Sequence, residues 1–243
     1  MNTVNLRIDP TSLTVLDRNE ERRIEGRGDE PYLGLLYFSS VYGKAGSTRV
    51  VIGDRLQTLG SNVRAGRRVT VPDSAGLDVS ERCSLFDSRT SPELKIMSYQ
   101  LVAMEQDKRG KRQVRDKLNE NGRTIRAALE RHFESGNPNF GFFGALAAMG
   151  EVRRELERGG LAGGSSFNEF IKWIGRADDF IGSNGVTVLN LGADTWNALQ
   201  YFVPAENRID SNFNPIVPLS NGTYTLRFRG EGAEYSVAVR LRT

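Results

Sequence analysis

The chain has 243 residues, of which 38% are hydrophobic and 26% are charged. This length suffices for one large domain or two small ones, and this composition is typical of a globular protein and excludes a disordered one. The formal net charge of +3 is too small to indicate nucleic-acid binding by itself. No stretch approaches the roughly 18 apolar residues that a membrane span needs. The first residues lack the basic start and apolar run of a signal peptide, so the compartment stays open.

Cysteine and histidine are each present once, as Cys83 and His132. A single cysteine forms no internal disulfide, and a zinc site needs several Cys or His ligands. The sequence also lacks a Gly-x-Ser-x-Gly motif, a P-loop and a dinucleotide-binding fingerprint. We therefore expect a non-enzymatic protein in which His132 is a surface or capping residue.

The first part of the chain is predicted to be β. Runs of alternating, β-branched or aromatic residues predict strands at 4–8, 13–16, 32–38, 49–52 and near 67–71. The Asp9-Pro10 pair divides the first two runs, and the rest of segment 53–93 is rich in turn-forming residues.

The strongest apolar segment is residues 94–104, with the sequence LKIMSYQLVAM. Neither of its two alternating faces is strictly polar. This pattern is typical of an inner strand that is covered on both sides.

The hydrophobic period changes from two residues to a helical spacing after Gly110. One apolar stripe extends from Val114 to Phe133 and indicates either one helix or two, because Gly122 interrupts it. A second stripe extends from Phe142 to Leu156 and ends before two glycines. The spacing of Ser166 and Glu169 matches a capping box, which predicts a short helix through Ile174.

The end of the chain returns to a period of two. Residues 223–228 and 235–241 alternate on either side of a glycine-containing turn, which predicts a terminal hairpin. The expected fold is therefore mainly β: a β-sandwich formed by residues 1–107 and 178–243, with an inserted helical block at 108–177, α+β overall.

Acidic residues cluster beside three apolar runs, at Asp29-Glu30, at Glu105 and Asp107, and at Asp178-Asp179. Each cluster is expected in a loop at the end of a strand. Calcium takes six to eight oxygen ligands, and clustered carboxylates on loops supply them. Solvated turn residues would give the same pattern, so both interpretations stay open.

The order of these clusters resembles that of the C2 domain, a calcium- and phospholipid-binding β-sandwich of eight strands. Its Ser-Asp-Pro-Tyr-Val motif is similar to Gly28–Leu33, its Asp-x-Asp pair to Glu105-Gln106-Asp107, and its Asp-Phe-Ile-Gly motif to Asp179–Gly182. The resemblance implies that Asp29, Glu105, Asp107 and Asp179 are calcium ligands. The chain departs from the family in its additional Glu30 and in the roughly seventy residues between Asp107 and Asp179, which place the helical block inside the third calcium loop.

The favoured function is that of a calcium-responsive binding module. Nine basic residues lie between Lys108 and Arg131, and such a segment can bind an anionic membrane surface. The expected partner is therefore such a membrane, or a protein, while the oligomeric state stays open. Helix packing on the sandwich explains the same segment without a membrane.

Two other functions remain open from the sequence. The chain could be a structural or assembly protein, a subunit or cargo of a larger particle, whose acidic loops are only surface. An acid–base pair formed by Asp178-Asp179 and Glu105 for glycoside hydrolysis is the enzymatic alternative.

Overall fold

The computed structural model describes residues 3–17, 29–53, 58–72, 79–87, 89, 93–105, 111–158, 179–200, 216–230 and 233–243. Its strands are β1 (Thr3–Asp17), β2 (Pro31–Val41), β3 (Arg49–Ile52), β4 (Arg68–Thr70), β5 (Ser80–Ser84), β6 (Lys95–Glu105), β7 (Asp179–Leu189), β8 (Ile216–Pro218), β9 (Gly222–Gly230) and β10 (Ala233–Arg242). Its helices are α1 (Lys111–Leu129), α2 (Gly141–Arg158) and α3 (Ala193–Gln200). A π-helical turn at Glu130–Glu134 continues α1, and a 3-10 turn at Pro138–Phe140 precedes α2.

The strands form two sheets of five strands each. The terminal sheet has the order β4-β1-β10-β9, and β5 also pairs with β1. The central sheet has the order β3-β2-β6-β7-β8. All pairs are antiparallel except β7 with β8, which are parallel. The first and last strands of the chain pair along most of their length, so the terminal sheet joins the two ends of the sequence.

The main hydrophobic core lies between the inner faces of the two sheets. It contains alternate residues of β2 and β6 from the central sheet, and alternate residues of β1, β9 and β10 from the terminal sheet. This is the packing of a β-sandwich. The prediction of a mainly β fold with a helical insertion is confirmed.

A second core covers the outer face of the central sheet. Leu36 and Phe38 of β2 pack there with Ile125, Leu129 and Phe133 of the helical segment. The opposite side chains of β2 belong to the sandwich core, so this strand is buried along its whole length. Residues 94–104 are apolar on both faces for the same reason, because β6 is also covered on both sides. No described helix is long and apolar enough to cross a membrane.

Two local features, in β1 and at α3, differ from the expectations, and the structure settles whether the segment around Gly122 forms one helix or two. The strand β1 runs through Asp9-Pro10, because a register shift between Pro10 and Ser12 absorbs the irregularity. The helix α1 runs through Gly122, where an added Cβ would approach Ile52 Cδ1 at 2.9 Å, so the glycine allows close helix–sheet packing. The short helix α3 was not predicted, and the helix predicted at Ser166–Ile174 lies outside the described residues.

Candidate metal site at one end of the sandwich

Three of the predicted acidic segments meet at one end of the central sheet. In the ladder of β2 and β6, Pro31 lies directly opposite Glu105, and in the ladder of β6 and β7, Glu105 lies directly opposite Asp179. Asp29 precedes Pro31 by two positions. The backbone therefore brings Asp29, Glu105 and Asp179 together across three adjacent strands, although Glu105 and Asp179 lie far apart in the sequence.

The Asp29 carboxylate is enclosed between the two sheets. Its backbone forms an isolated bridge with Val63, with nitrogen-to-oxygen distances of 2.9 and 2.8 Å. The Tyr235 hydroxyl of β10 donates a hydrogen bond to Asp29 Oδ2 at 2.9 Å. Asp29 is 0% exposed. Asp29 lies beside the start of β2 and is a buried acid that faces the terminal sheet, so it is not a solvated turn residue.

Glu105 is the last residue of β6 and is also 0% exposed. Leu101 and Ala103 of this strand belong to the sandwich core, so the alternation of strand residues places Glu105 on the same inner face. The ladder of β2 and β6 ends at the pair of Pro31 and Glu105, and Asp29 lies two positions before Pro31. Two buried acids therefore lie at the same end of the sandwich.

The burial of these two carboxyl groups has a clear energetic consequence. An ionised carboxylate removed from water is costly unless hydrogen bonds or positive charge compensate it. A cation bound between Asp29 and Glu105 would offset the charge of both carboxylates at this end of the sandwich.

The strand that carries Asp179 is fixed to the terminal sheet. A register shift lies between the pairs Ala103–Gly182 and Met104–Phe180, and Gly182 has a φ of 153°. At this point β7 approaches β9, and a Cβ on Gly182 would lie 3.4 Å from the Arg229 nitrogen. The Asn184 side chain then donates to the Arg227 carbonyl oxygen at 3.0 Å. Both Asp29 and β7 are thus held by the same sheet.

The arrangement of potential metal ligands is incomplete in the described part of the chain. Among those residues, no group of three or more His, Cys, Asp or Glu side chains is placed to hold a metal ion. Asp107 lies outside the described residues, and for Asp179 the structure describes only the backbone. The carboxylates of Asp107 and Asp179, which the sequence predicts to be ligands, are therefore not included in this search of the described residues.

Another buried acid, Glu81, lies at the opposite end of the sandwich and was not predicted from the sequence to be important. Glu81 of β5 accepts hydrogen bonds from Ser39 at 3.0 Å, Arg49 at 3.0 Å and Lys95 at 2.9 Å. Burial opposes ionisation of Glu81, but Lys95 and the neighbouring hydrogen-bond donors together outweigh it and hold the pKa of this carboxyl below its usual value. Burial and the charge of Glu81 raise the pKa of Tyr37. Glu81 joins the two sheets by these ion pairs.

The helical segment is attached to the central sheet by another carboxylate. Glu134 accepts hydrogen bonds from the backbone nitrogens of Gly46 at 2.7 Å and Thr48 at 2.6 Å, in the loop between β2 and β3. Burial raises the pKa of Glu134, but hydrogen bonds from the Thr48 side chain and from the backbone of this loop lower it more, so the net pKa is below the usual value. His132 contacts Glu155 of α2 at 2.7 Å, which agrees with a structural role for the histidine.

Comparisons with protein-family models, with curated proteins and with solved structures found no match. The arguments for function therefore rest on the residues and the geometry of this chain.

Proposed function

We propose that this chain is a calcium-responsive binding module whose cation is bound by Asp29, Glu105, Asp107 and Asp179. The observation that carries the proposal is the register of β2, β6 and β7, which aligns the three segments bearing these acids at one end of the sandwich. The resemblance of their sequences to the calcium loops of C2 domains supports the same assignment.

The chemistry of the described ligands suits calcium. Carboxylate oxygens are hard donors, and calcium takes six to eight of them at distances of roughly 2.3–2.6 Å. Asp29 and Glu105 would supply part of this set from the inner face, where both are fully buried. A divalent cation would offset the charge of both, and the rest of the set would come from Asp107, Asp179 and backbone oxygens.

The proposed site would also control the helical segment. Strand β6 ends at Glu105 and β7 begins at Asp179, so α1 and α2 lie on the chain that connects these two residues. The ladder of β6 and β7 already pairs these two residues, and a cation bound to both side chains would strengthen this junction. Calcium would thereby change how firmly the segment that carries α1 and α2 is attached to the sandwich. Binding of a partner by these helices would then respond to calcium.

The proposed partner of the helices is an anionic membrane surface. Arg112, Arg115, Arg123 and Arg126 are exposed on α1. Phe140 is 67% exposed and Phe143 is 55% exposed at the start of α2. Exposed arginines and aromatic rings together suit a surface of anionic headgroups.

Vesicle co-sedimentation, with and without calcium and at low and high salt, tests the membrane partner. Charge reversal at Arg112, Arg115 and Arg126 should reduce binding. Binding should also weaken with salt, which screens these charges. Failure to bind under all these conditions would reject the membrane partner and leave the metal site untouched.

Thermal unfolding tests the metal site. A ligand bound by the native state alone stabilises it by RT ln(1 + [L]/Kd), about 2.7 kcal/mol at a hundred times Kd. Calcium should raise the melting temperature and magnesium should not, and Asp107→Asn with Asp179→Asn should abolish the calcium shift. Asp116→Asn with Glu120→Gln is the matched control, since it removes the same charge from the exposed face of α1. An equal response to both metals would contradict the proposal.

The alternative is a structural or assembly protein without a functional metal site. The hydrogen bond from Tyr235 favours it, because this bond gives the buried Asp29 carboxyl a structural partner inside the sandwich. Under this alternative, calcium leaves the melting temperature unchanged, and Asp29→Asn alters stability equally with and without calcium.

A further inference from the structure

The outer face of the terminal sheet carries arginines that are remote in sequence and adjacent in the fold. Arg7 lies directly opposite Arg242 in the ladder of β1 and β10, and Asp9 lies opposite Arg240. Arg227 and Arg229 extend the same face on β9, opposite Ser236 and Glu234 of β10. The arginine face is defined by these five residues: Arg7, Arg227, Arg229, Arg240 and Arg242.

The arginine face is open to solvent. The inner neighbours of these residues, such as Leu226, Phe228, Val239 and Leu241, are buried in the sandwich core. Arg227, Arg229, Arg240 and Arg242 are exposed, and Arg7 is half-buried. The described helices pack on the outer face of the other sheet.

The acids on this face do not balance its charge. Asp9 binds both Arg7, at 3.0 Å, and Arg242, and Glu234 lies 3.7 Å from Arg227. Arg229 and Arg240 make no ion pair with the described residues. Asp9 offsets the charges of the directly opposite residues Arg7 and Arg242, but the charges of Arg229 and Arg240 are not offset by an ion pair with the described residues, which suits an anionic partner.

We infer that the arginine face binds the phosphate backbone of double-stranded nucleic acid. Arginine matches phosphate oxygens with paired N–H donors. Hydroxyls are also common phosphate donors, and Thr223, Thr225 and Ser236 carry hydroxyls on the same face as the arginines. Arg242 and Glu234 lie eight residues apart on β10, a length of roughly 27 Å at the rise of an antiparallel strand. A duplex carries one negative charge per roughly 1.7 Å along its axis, so a site of this length meets many phosphates.

The composition of the face favours nucleic acid over a lipid bilayer. Membrane-surface binding normally adds burial of apolar or aromatic side chains to the attraction between charges. Among the described residues of β1, β9 and β10, only Leu16 is an exposed large hydrophobic residue, at the end of β1 away from Arg7 and Arg242. The exposed phenylalanines lie on the helical segment instead. The described residues of these three strands also include no exposed aromatic ring. The face is therefore suited to contacts with the phosphate backbone of a duplex and not to stacking on unpaired bases.

Binding of a short DNA duplex, followed by fluorescence anisotropy in the presence of EDTA, tests the inference. The chelator separates this surface from the proposed calcium site, on which the inference does not depend. Each phosphate neutralised contributes a slope of about −0.9 to the plot of log K against log salt concentration. If all five arginines contact phosphates, the slope should be about −4 to −5.

The informative variant is Arg229→Gln with Arg240→Gln, because these exposed guanidinium groups are not engaged with Asp9 or another described acid. The double substitution should reduce the slope by about 2 and weaken binding by on the order of ten-fold or more. Arg131→Gln with Arg154→Gln removes the same charge from exposed positions of the helical segment that belong to neither proposed surface, and it should change neither strongly. Unchanged melting temperatures should show that both variants are folded.

Three outcomes would overturn the inference. One is no binding of the duplex at low salt. The second is an equal loss of binding in the two double variants, which would mean that only overall charge matters. The third is that the protein binds anionic vesicles but not DNA, and that this binding depends on Arg229 and Arg240. This result would assign the face to a membrane.

Discussion

Tyr235 and Asp29 are 206 positions apart and are joined by a hydrogen bond of 2.9 Å between the phenol hydroxyl and the carboxylate. Both residues are 0% exposed. Tyr235 belongs to the terminal sheet, and Asp29 directly precedes the central sheet, so this bond connects the two halves of the sandwich at the end where the acidic segments meet.

Removal of this hydroxyl should destabilise the fold. Tyr235→Phe leaves a buried carboxyl without this donor, and hydrogen bonds to charged groups contribute about 1.5–3 kcal/mol. We expect a loss of this size in urea unfolding at neutral pH. Tyr224→Phe is the control, since Tyr224 is only partly buried and makes no hydrogen bond with the described residues; it should cost less than about 0.5 kcal/mol. Equal losses would mean that the bond has no special role.

The sheets were predictable because alternating polar and apolar residues, and continuous apolar runs, indicate directly which faces of a strand are buried. Strand β3 was predicted with the bounds that the structure has, and β6 and the terminal hairpin were predicted to within a residue or two. The strand β5 escaped prediction because its sequence, SERCS, buries an acid and a cysteine, and neither marks an inner face. The helix α3 is short, and its position depends on packing of Trp196 against Phe142 of α2.

The candidate site was predictable only in part. The sequence indicates which acids follow or precede apolar runs, and the motif order suggested that they converge. It does not give the register that sets Glu105 beside Asp179, or the tyrosine that contacts Asp29. The arginine face was also hidden, because Arg7 and Arg242 become neighbours only when the first and last strands pair.

Removal of the Glu81 charge should strongly lower the free energy of unfolding, because Glu81 forms ion pairs inside the sandwich. Removing one partner of a buried ion pair costs about 3–5 kcal/mol, and the Lys95 and Glu81 side chains are 17% and 10% exposed. Glu81→Gln keeps some hydrogen bonding, so we expect a loss of about 2–4 kcal/mol in urea unfolding at neutral pH. Glu93→Gln breaks the exposed pair with Lys44 and should cost less than about 1 kcal/mol.

The pH dependence of this contribution follows from the lowered pKa of Glu81. A carboxyl whose pKa is lower in the folded state stabilises the fold above its unfolded pKa, about 4.3 for glutamate. This stability disappears as the pH falls from there through the folded pKa. The difference in unfolding free energy between the wild type and Glu81→Gln should therefore shrink below about pH 4.3. A difference that stays constant to lower pH would contradict this assignment.

Glu134 should hold the loop between β2 and β3 against the helical segment. Glu134→Gln replaces a charged acceptor of two backbone N–H groups and should cost about 1–3 kcal/mol. The amides of Gly46 and Thr48 donate to this carboxylate, so their hydrogen exchange should accelerate more than that of the β6 amides. Uniform acceleration across all strands would indicate global destabilisation instead of a local loss.

Two glycines of α2 should respond to alanine in opposite directions. A Cβ on Gly144 would lie 2.2 Å from the Tyr42 hydroxyl oxygen, whereas a Cβ on Gly150 would meet nothing within 4 Å. Gly144→Ala should therefore force Tyr42 out of its position and cost about 1–3 kcal/mol. Gly150→Ala should stabilise the protein by up to about 1 kcal/mol, because alanine is the better helix former. Both changes add the same methyl group to one helix, so urea unfolding of the pair separates packing from helix propensity. Stabilisation by both substitutions would show that the ring of Tyr42 moves aside without cost.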